Sequence, residues 1–484
     1  MPMKRITINP ATRLEGHAKI EIFLDKNGTV DNAYLQFPEL RGFEKFCEGR
    51  RAEDMPQITS RICGVCPVAH HLASTKALDM AFNAEPPPAA KKLRELMYCG
   101  SLIYDHILHF YFLGGPDFLV GPDAAPADRN ILGVLRKVGL GVVEKVIKHR
   151  AYGQRIVEII GGKATHPVSG LPGGMSKALT NEERLEIEKM LKSSLEFAKF
   201  SLDFFKERVL KNYADMIQSN VYTLDTYYMG LVDENNKVNF YDGTIRVVDP
   251  EGKEFVKFTP REYPDVIAEH VEPWTYGKMP YLKKVGWRGL EGGANSGIYR
   301  VGPLARLNVS EGMATPLAQE EYKQLYETLG NKPVHSTLAY HWARLVELLY
   351  AAERGLELIR DDEIVSKDLR NKVGAFGEGV GVVEAARGTL IHHYMLDEEA
   401  LVKKVNLIVP STHNNPAMCT SVKDASKGLI NGGEVDEGLL NRIEMVFRAY
   451  DPCVACATHL VDDSISMEVK IYDQNRSLLR VLRR

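Results

Sequence analysis

Arg61-Ile-Cys-Gly-Val-Cys-Pro67 and Asp451-Pro-Cys-Val-Ala-Cys-Ala-Thr-His459 are two short stretches near opposite ends of the chain, and each contains a Cys-x-x-Cys pair. The cysteines of these pairs are Cys63, Cys66, Cys453 and Cys456. Two residues between cysteines place both sulfur atoms on one side of a tight turn, which is the spacing that holds a single metal centre. Four thiolates are soft ligands that select zinc, iron–sulfur iron or nickel.

The spacing alone leaves three kinds of site open. A structural zinc site normally has its ligand pairs a few tens of residues apart, because the metal organises a small module that cannot fold alone. A thioredoxin-type redox site expects one pair in a βαβ context. Here almost the whole chain separates two pairs, so the pattern favours a catalytic or cluster metal over both alternatives.

The composition is that of an ordinary globular protein. The chain has 484 residues, of which 44 % are hydrophobic and 26 % are charged, and this balance excludes a disordered chain, a collagen-like repeat and a small disulfide scaffold. The formal net charge of −3 gives no electrostatic footprint for nucleic acid or for an anionic membrane.

The cysteines and the N-terminus predict a cytoplasmic protein. The first residues contain no apolar signal region, and no stretch approaches 18 apolar residues, so neither a signal peptide nor a membrane span is expected. Seven cysteines, an odd number in a long chain, indicate a reducing compartment. Cys47, Cys99 and Cys419 are expected to be buried core thiols.

The hydrophobic pattern predicts a mainly α fold, a helical-bundle core with small peripheral antiparallel β-sheets. A small sheet opens the chain, with a hairpin turn at Asp25-Lys-Asn-Gly28. A capping box at Thr180 and Glu183 starts a long helix that reaches about Asn212. The other predicted segments are helices over 89–113, 317–331 and 336–361 and a β-rich insertion over 219–290.

The two motifs resemble the signatures of the nickel–iron hydrogenase large subunit, and the similarity extends along the chain. Further matching segments are Thr12-Arg-Leu-Glu-Gly-His17, Arg41-Gly-Phe-Glu-Lys-Phe46, Glu378-Gly-Val-Gly-Val-Val-Glu384 and Ala386-Arg-Gly-Thr-Leu390. The chain looks most like cytoplasmic bidirectional, NAD(P)-coupled enzymes, which Pro280-Tyr-Leu-Lys and Val301-Gly-Pro-Leu-Ala-Arg-Leu-Asn-Val309 support. The resemblance implies reversible cleavage of H2 to protons and electrons.

The resemblance also implies the metals. In the family four cysteines hold nickel, and two of them bridge to an iron that carries cyanide and carbon monoxide, a Ni-Fe(CN)2(CO) centre. Cys63 and Cys453 would be terminal nickel ligands, and Cys66 and Cys456 would bridge. A Mg2+ site is implied as well, and its ligands would be Glu44, the carbonyl of Leu407 and His459.

Further residues match the family's catalytic groups. Glu15 resembles the carboxylate that relays a proton beside a terminal cysteine. Arg387 resembles the arginine over the open metal position, where Asp105 and Asp451 would hold it, although Ala386 precedes it where the family commonly has proline. The remaining matches are His70, expected to hydrogen-bond a cysteine sulfur, and Pro410 with Ser411, expected to line the diatomic ligands of the iron. The histidines His106, His109, His392 and His393 are expected to be structural.

The domain organisation and the partners follow from the same resemblance. Residues 1–459 would form one catalytic domain, with metal-binding loops at 38–76 and 440–459, and residues 460–484 would be removed after His459 by a maturation endopeptidase once nickel chaperones have delivered the metal. Electrons would pass to an iron–sulfur small subunit, then to diaphorase or other electron-transfer subunits. The alternatives are coupling to heterodisulfide reductase or ferredoxin, and a non-catalytic zinc-bound or complex-I-like subunit.

Overall fold

The computed structural model describes residues 4–330, 332–432, 434–458, 468–472 and 478–483. Its α-helices, α1 to α15 in chain order, are Phe43–Cys47, Met55–Thr59, Pro67–Ala81, Pro88–Leu108, Pro116–Leu119, Ile131–Val138, Leu140–Gly161, Asn181–Phe205, Lys211–Ile217, Tyr263–Val266, Pro303–Val309, Pro316–Leu329, Tyr340–Arg360, Pro410–Leu429 and Glu437–Ala449. Two π-helical turns, His109–Gly114 and Lys206–Leu210, continue α4 and α8.

The strands form small, separate sheets. They are, from β1 to β16, Lys4–Ile8, Lys19–Leu24, Val30–Gln36, Gly170–Leu171, Gly174–Met175, Tyr227–Val232, Thr244–Val248, Glu254–Phe258, Ile267–His270, Met279–Leu282, Tyr299–Arg300, Glu378–Ala385, Gly388–Leu396, Val402–Ile408, Glu468–Tyr472 and Leu478–Arg483. The sheet orders are β1-β2-β3, β4-β5, β11-β6-β7-β8, β10-β9, β12-β13-β14 and β15-β16. The pair of β11 with β6 is parallel, and the other pairs are antiparallel.

The core is a bundle built around α4 and α13. Helix α4 packs against α7 and α13, and α13 also packs against α8. Nearly every side chain of α13 is buried, because neighbouring helices cover it on several sides. The sheet of β12, β13 and β14 lies against α3. This arrangement confirms the predicted mainly α class with small sheets.

The predicted elements agree with the structure in kind and differ at their ends. Thr180 caps α8 as expected: its hydroxyl accepts a hydrogen bond from the Glu183 amide, and Glu183 returns the bond to Thr180. Helical segments then reach Ile217 through the π-helical turn, but the backbone departs from helical geometry at Tyr213, next to the predicted end near Asn212. Strands β7 and β8 lie within the predicted β-rich insertion.

The two ends of the chain meet at one place. Cys66 directly precedes the first residue of α3, and Cys453 follows the last residue of α15. The first cysteine pair therefore lies at the start of a helix, and the second lies after the end of one. Glu15 forms a parallel β-bridge with Cys453, in which the Glu15 carbonyl accepts a hydrogen bond from the Val454 amide at 2.9 Å. Gly16 (φ +83°) is required there, since a Cβ would lie 2.9 Å from the Ala455 amide nitrogen.

Among the helices of the described residues, none combines the length and the apolar character that a membrane crossing needs. Beyond the second cysteine pair, β15 and β16 form an antiparallel hairpin. His459 and the cleavage predicted after it lie outside the described residues.

Candidate metal centre

The structure brings the four motif cysteines together in the interior. Their sulfur atoms all lie within 4.8 Å of one another. The Cys63 and Cys453 sulfurs are 3.4 Å apart, and those of Cys66 and Cys456 are 3.7 Å apart, so each close pair joins the two motifs across 390 residues. Four buried soft donors at this separation can share one thiophilic metal centre, so the donor set fits a nickel or nickel–iron group.

The free thiols influence one another strongly. Hydrogen bonds from the other cysteines hold the pKa of Cys63 well below its usual range. Burial raises the pKa of Cys453, so that thiol keeps its proton while no cation is nearby. A bound metal would reverse the second effect, because thiolates are the form that ligates metals.

The first loop is shaped largely by its own backbone. The amides of Val65 and Cys66 donate to the Cys63 sulfur at 3.2 Å and 3.4 Å. The Tyr104 hydroxyl donates to the Val65 carbonyl at 3.0 Å and anchors the loop to α4. Pro67 then begins α3, where a missing N–H costs nothing.

The second loop is held by residues from elsewhere. The Cys453 amide donates to the Ser411 hydroxyl at 2.7 Å, at the start of α14. Asp451 has φ of +59°, an unusual backbone conformation for a non-glycine residue. Because the Ser411 oxygen accepts from the backbone, its own O–H remains able to donate into the site.

Glu15 lies against Cys453, the cysteine beside which the resemblance implies it. Its Oε2 atom is 3.0 Å from the Cys453 sulfur and accepts a hydrogen bond from the Ala455 amide at 3.1 Å. Burial raises the pKa of Glu15 above that of an ordinary glutamate. The carboxylate can therefore exchange a proton with a group at the sulfur position.

Arg387 and its two predicted acidic partners also come together. Its Nη1 and Nη2 atoms are each 3.1 Å from an oxygen of Asp105, and Nη2 is 3.1 Å from Asp451 Oδ1. All three side chains are buried. Burial raises the pKa of Asp105 to about 6, whereas the two carboxylates raise the pKa of Arg387 despite burial.

His70 contacts a second histidine that the sequence did not assign to the site. Its Nδ1 is 3.1 Å from His392 Nε2, and His392 Nδ1 is 2.7 Å from the Tyr394 hydroxyl. Burial lowers the pKa of His70 to about 4, so the ring is neutral. His392 is therefore a hydrogen-bond partner of His70, and the bond from His70 to a sulfur stays a prediction.

The predicted magnesium ligands are only partly assembled by described residues. Glu44 is buried, and its Oε1 accepts a hydrogen bond from the Leu407 amide at 2.7 Å. Lys278, which the sequence did not reveal, reaches the same oxygen at 3.5 Å. The other carboxylate oxygen of Glu44 is buried without a hydrogen-bond partner among the described residues, which suits a cation ligand. The third ligand, His459, lies outside those residues.

Arg41 links the two motifs, a contact that sequence reasoning missed. Its Nη1 donates to the Ile62 carbonyl in the first motif at 2.6 Å and to the Ala455 carbonyl in the second at 3.2 Å. Its amide donates to the Thr458 carbonyl at 2.9 Å. Arg41 begins one of the segments that match the family, but only the folded structure brings both loops to it.

Fold and site together have the features of a metalloprotein: four buried cysteine sulfurs suited to a soft metal, beside a half-buried glutamate and a buried arginine ion pair. A family model described as "Nickel-dependent hydrogenase" matches residues 41–133 and 144–459, and one described as "HoxL-like" matches residues 5–40. The chain belongs to the nickel-dependent hydrogenase family, and it is an enzyme of the large-subunit type. The zinc, redox and complex-I-like alternatives are therefore not retained.

Individual relatives agree with this assignment. An F420-non-reducing hydrogenase iron-sulfur subunit of Archaeoglobus profundus is 46 % identical over 99 % of this chain and 100 % of its own length. The NAD-reducing hydrogenase HoxS subunit beta of Cupriavidus necator is 36 % identical over 97 % of both chains. A crystal structure of an NAD+-reducing [NiFe]-hydrogenase in the H2-reduced state superimposes with a TM-score of 0.89 at 38 % identity, covering 94 % of this chain and 99 % of that one.

Proposed function

We propose that the chain cleaves H2 reversibly and heterolytically at a Ni-Fe(CN)2(CO) centre held by Cys63, Cys66, Cys453 and Cys456. The observation that carries the proposal is the Glu15 carboxylate 3.0 Å from a sulfur of the buried four-cysteine cluster. When bound, the centre supplies Lewis acidity and takes up the two electrons of H2. The chain's own residues then have to accept, hold and release protons.

Glu15 is the proposed proton relay. Its Oε2 atom faces the Cys453 sulfur, and the Ala455 amide fixes the carboxylate in this orientation. Burial raises the pKa of Glu15, so protonated and ionised forms are closer in free energy near neutral pH than for an exposed glutamate. A proton can therefore pass from sulfur to carboxylate and onward.

Arg387 is the proposed electrostatic group of the site. A guanidinium that is always charged and fixed by Asp105 and Asp451 can polarise bound H2 without reorganising. His70 is proposed to donate to a cysteine sulfur and thereby tune its basicity. Pro410 and Ser411 are proposed to line the diatomic ligands of the iron.

A Mg2+ ion is proposed at Glu44, with the Leu407 carbonyl and His459 as further ligands. The support is the unpartnered, buried oxygen of Glu44 among the described residues, since hard carboxylate oxygen suits this ion. Burial raises the pKa of Glu44, an effect that a bound divalent cation would oppose. The expected maturation step, removal of 460–484 after His459 with nickel chaperones and an endopeptidase, remains part of the proposal.

The proposed electron partner is an iron–sulfur small subunit in the cytoplasm. The three cysteines outside the motifs are buried as free thiols, so they offer this chain no cluster of its own among the described residues. NAD(P) coupling is supported by the similarity to NAD-reducing hydrogenases. The identity to F420-non-reducing hydrogenase subunits is higher, so an acceptor other than NAD(P) is the second candidate, with heterodisulfide reductase or ferredoxin as the expected alternatives.

The test uses the complex purified with its natural partners. Elemental analysis is expected to give nickel and iron together, and the complex should catalyse H2/D2 exchange without an added acceptor. Zinc alone, or exchange at background, would contradict the proposal. Assays of the same sample with NAD+, NADP+, ferredoxin and a heterodisulfide, each under H2, separate the two coupling candidates.

A further inference from the structure

Arg387 lies in the two-residue turn of a tight hairpin. Ala385 pairs with Gly388 at the ends of β12 and β13, so Ala386 and Arg387 connect the two strands. The direction of the Arg387 side chain is therefore set by the backbone of this turn. Ala386 does not restrict that backbone as a proline would. Other contacts must therefore fix the orientation of the turn.

Arg306, on α11, holds the carbonyl groups of this turn. Its Nη1 donates to the Ala385 carbonyl at 2.9 Å, and its Nη2 donates to the Ala386 carbonyl at 3.1 Å. The Arg306 side chain is completely buried. Hydrogen bonds from a charged, desolvated donor are about twice as strong as neutral ones.

Two buried glutamates fix Arg306 itself. Glu347, on α13, accepts from Arg306 Nε at 2.6 Å and from Nη2 at 2.7 Å, which is a two-pronged contact. Glu384, on β12, accepts from Arg306 Nη1 at 2.7 Å. Every N–H direction of a planar guanidinium is thereby defined, so Arg306 cannot reorient without breaking several bonds.

The backbone of the Arg306 segment also touches the turn directly. Gly302 (φ +99°) precedes α11, and a Cβ there would lie 2.8 Å from the Arg387 carbonyl oxygen. A Cβ added at Gly388 (φ +134°) would in turn lie 2.8 Å from the Gly302 amide nitrogen. The segment Val301–Val309, which had no chemical role in the sequence, is therefore packed against the turn that carries Arg387.

We propose that Arg306 is a positioning residue for Arg387: it fixes the Ala385 and Ala386 carbonyls and so directs the Arg387 guanidinium at the metal centre. This inference rests on the proposed role of Arg387 in the hydrogenase reaction. The simpler alternative is that Arg306 only neutralises Glu347 and Glu384 and stabilises the core. The positioning role predicts that the loss of activity on changing Arg306 depends on Arg387, whereas the purely stabilising role predicts that it does not.

The test is a double-mutant cycle in the purified holoenzyme complex. Lysine at 306 keeps a positive charge but cannot reach two carboxylates and two carbonyls from one ammonium group. Arg306→Lys is expected to lower H2 oxidation per nickel about 10- to 100-fold, the scale of a small misplacement of a catalytic group. In an Arg387→Lys background the same change should cost less than about twofold, since the group that it positions is gone.

An infrared readout complements turnover. The stretching bands of the iron's cyanide and carbon monoxide should shift in the same direction in Arg306→Lys and in Arg387→Lys. If Arg306→Lys does not fold, Glu347→Gln weakens the two-pronged contact more gently and should give a smaller loss that also disappears in the Arg387→Lys background.

Arg94→Lys is the matched control. Arg94 is also completely buried, pairs with Asp79 at 2.5 Å, and donates to the carbonyls of Leu171 and Gly174 at 2.9 Å and 2.8 Å. This variant should lower Tm while turnover per nickel and the infrared bands stay unchanged. Equal fold losses from Arg306→Lys with and without Arg387 would overturn the inference. A fully active Arg387→Lys enzyme would instead overturn the role of Arg387, and the inference with it.

Discussion

The two cysteine loops supply equal numbers of cysteines to the cluster, but they are built in different ways. In the first loop the amides of Val65 and Cys66 point inward and bind the Cys63 sulfur. In the second loop the amides of Cys453 and Ala455 point outward, to Ser411 and Glu15. The first loop is therefore organised more by its own backbone, and the second more by the residues that pack around it. Interference with the surroundings should therefore affect the second loop more.

Replacing Cys63 or Cys453, the proposed terminal nickel ligands, should have the largest effect on nickel content and H2 uptake. This effect should be the same for both loops. Cys63→Ser and Cys453→Ser each remove a soft ligand from a four-sulfur cluster, so nickel content and H2 uptake are both expected to fall to background. Elemental analysis and a gas-uptake assay measure these quantities. Cys419→Ala changes a buried thiol outside the cluster and should keep both. Full H2 uptake in Cys453→Ser would refute its assignment as a ligand.

Changing Glu15 should affect proton transfer and largely spare the metal. Glu15→Gln keeps a carbonyl oxygen for the Ala455 amide but cannot take up a proton, so H/D exchange should fall about 10²- to 10⁴-fold at nearly normal nickel content. Glu39→Gln, a partly exposed carboxylate paired with His17, is the control. Exchange at the normal rate in Glu15→Gln would remove the relay role of that residue.

The smallest effects should separate the two loops most clearly. Ser411→Ala leaves the buried Cys453 amide without an acceptor, at a cost of about 1–3 kcal/mol in the free energy of unfolding. Tyr104→Phe removes a neutral hydrogen bond to the carbonyl of the half-buried Val65, so about 0.5–1.5 kcal/mol is expected. Chemical denaturation of both variants measures the difference. A larger loss in Tyr104→Phe would contradict the self-organised first loop.

Much of the fold could be predicted because its signals are local. The capping box at Thr180 and Glu183 needs four residues to be recognised, and the structure contains it as expected. The π-helical turn Lys206–Leu210 could not be foreseen, since a helix that passes through such a turn has no distinct hydrophobic period. The predicted helix end near Asn212 nevertheless falls next to Tyr213, where the backbone departs from helical geometry.

The residues of the site show the same difference between local signals and contacts of distant segments. Spacing identified each cysteine pair, and the resemblance joined the pairs and named Glu15 and Arg387. Residues that act only through contacts between distant segments were missed, above all Arg41, which bonds to both motifs, and Lys278, which reaches Glu44. Arginine and lysine are usually solvated, so a sequence offers no reason to bury Lys278 or to give the exposed Arg41 contacts with both motifs.

The bridge between Glu15 and Cys453 joins residues that are 438 positions apart, and this has a consequence for biosynthesis. At a translation rate of about 5–20 residues per second, roughly 20 to 90 seconds pass between the synthesis of the two residues. During that time half of the pocket exists on the growing polypeptide without its counterpart. Complete coordination is thus impossible until translation is nearly finished, and the cell must keep the early thiols from oxidation or adventitious metals throughout that interval.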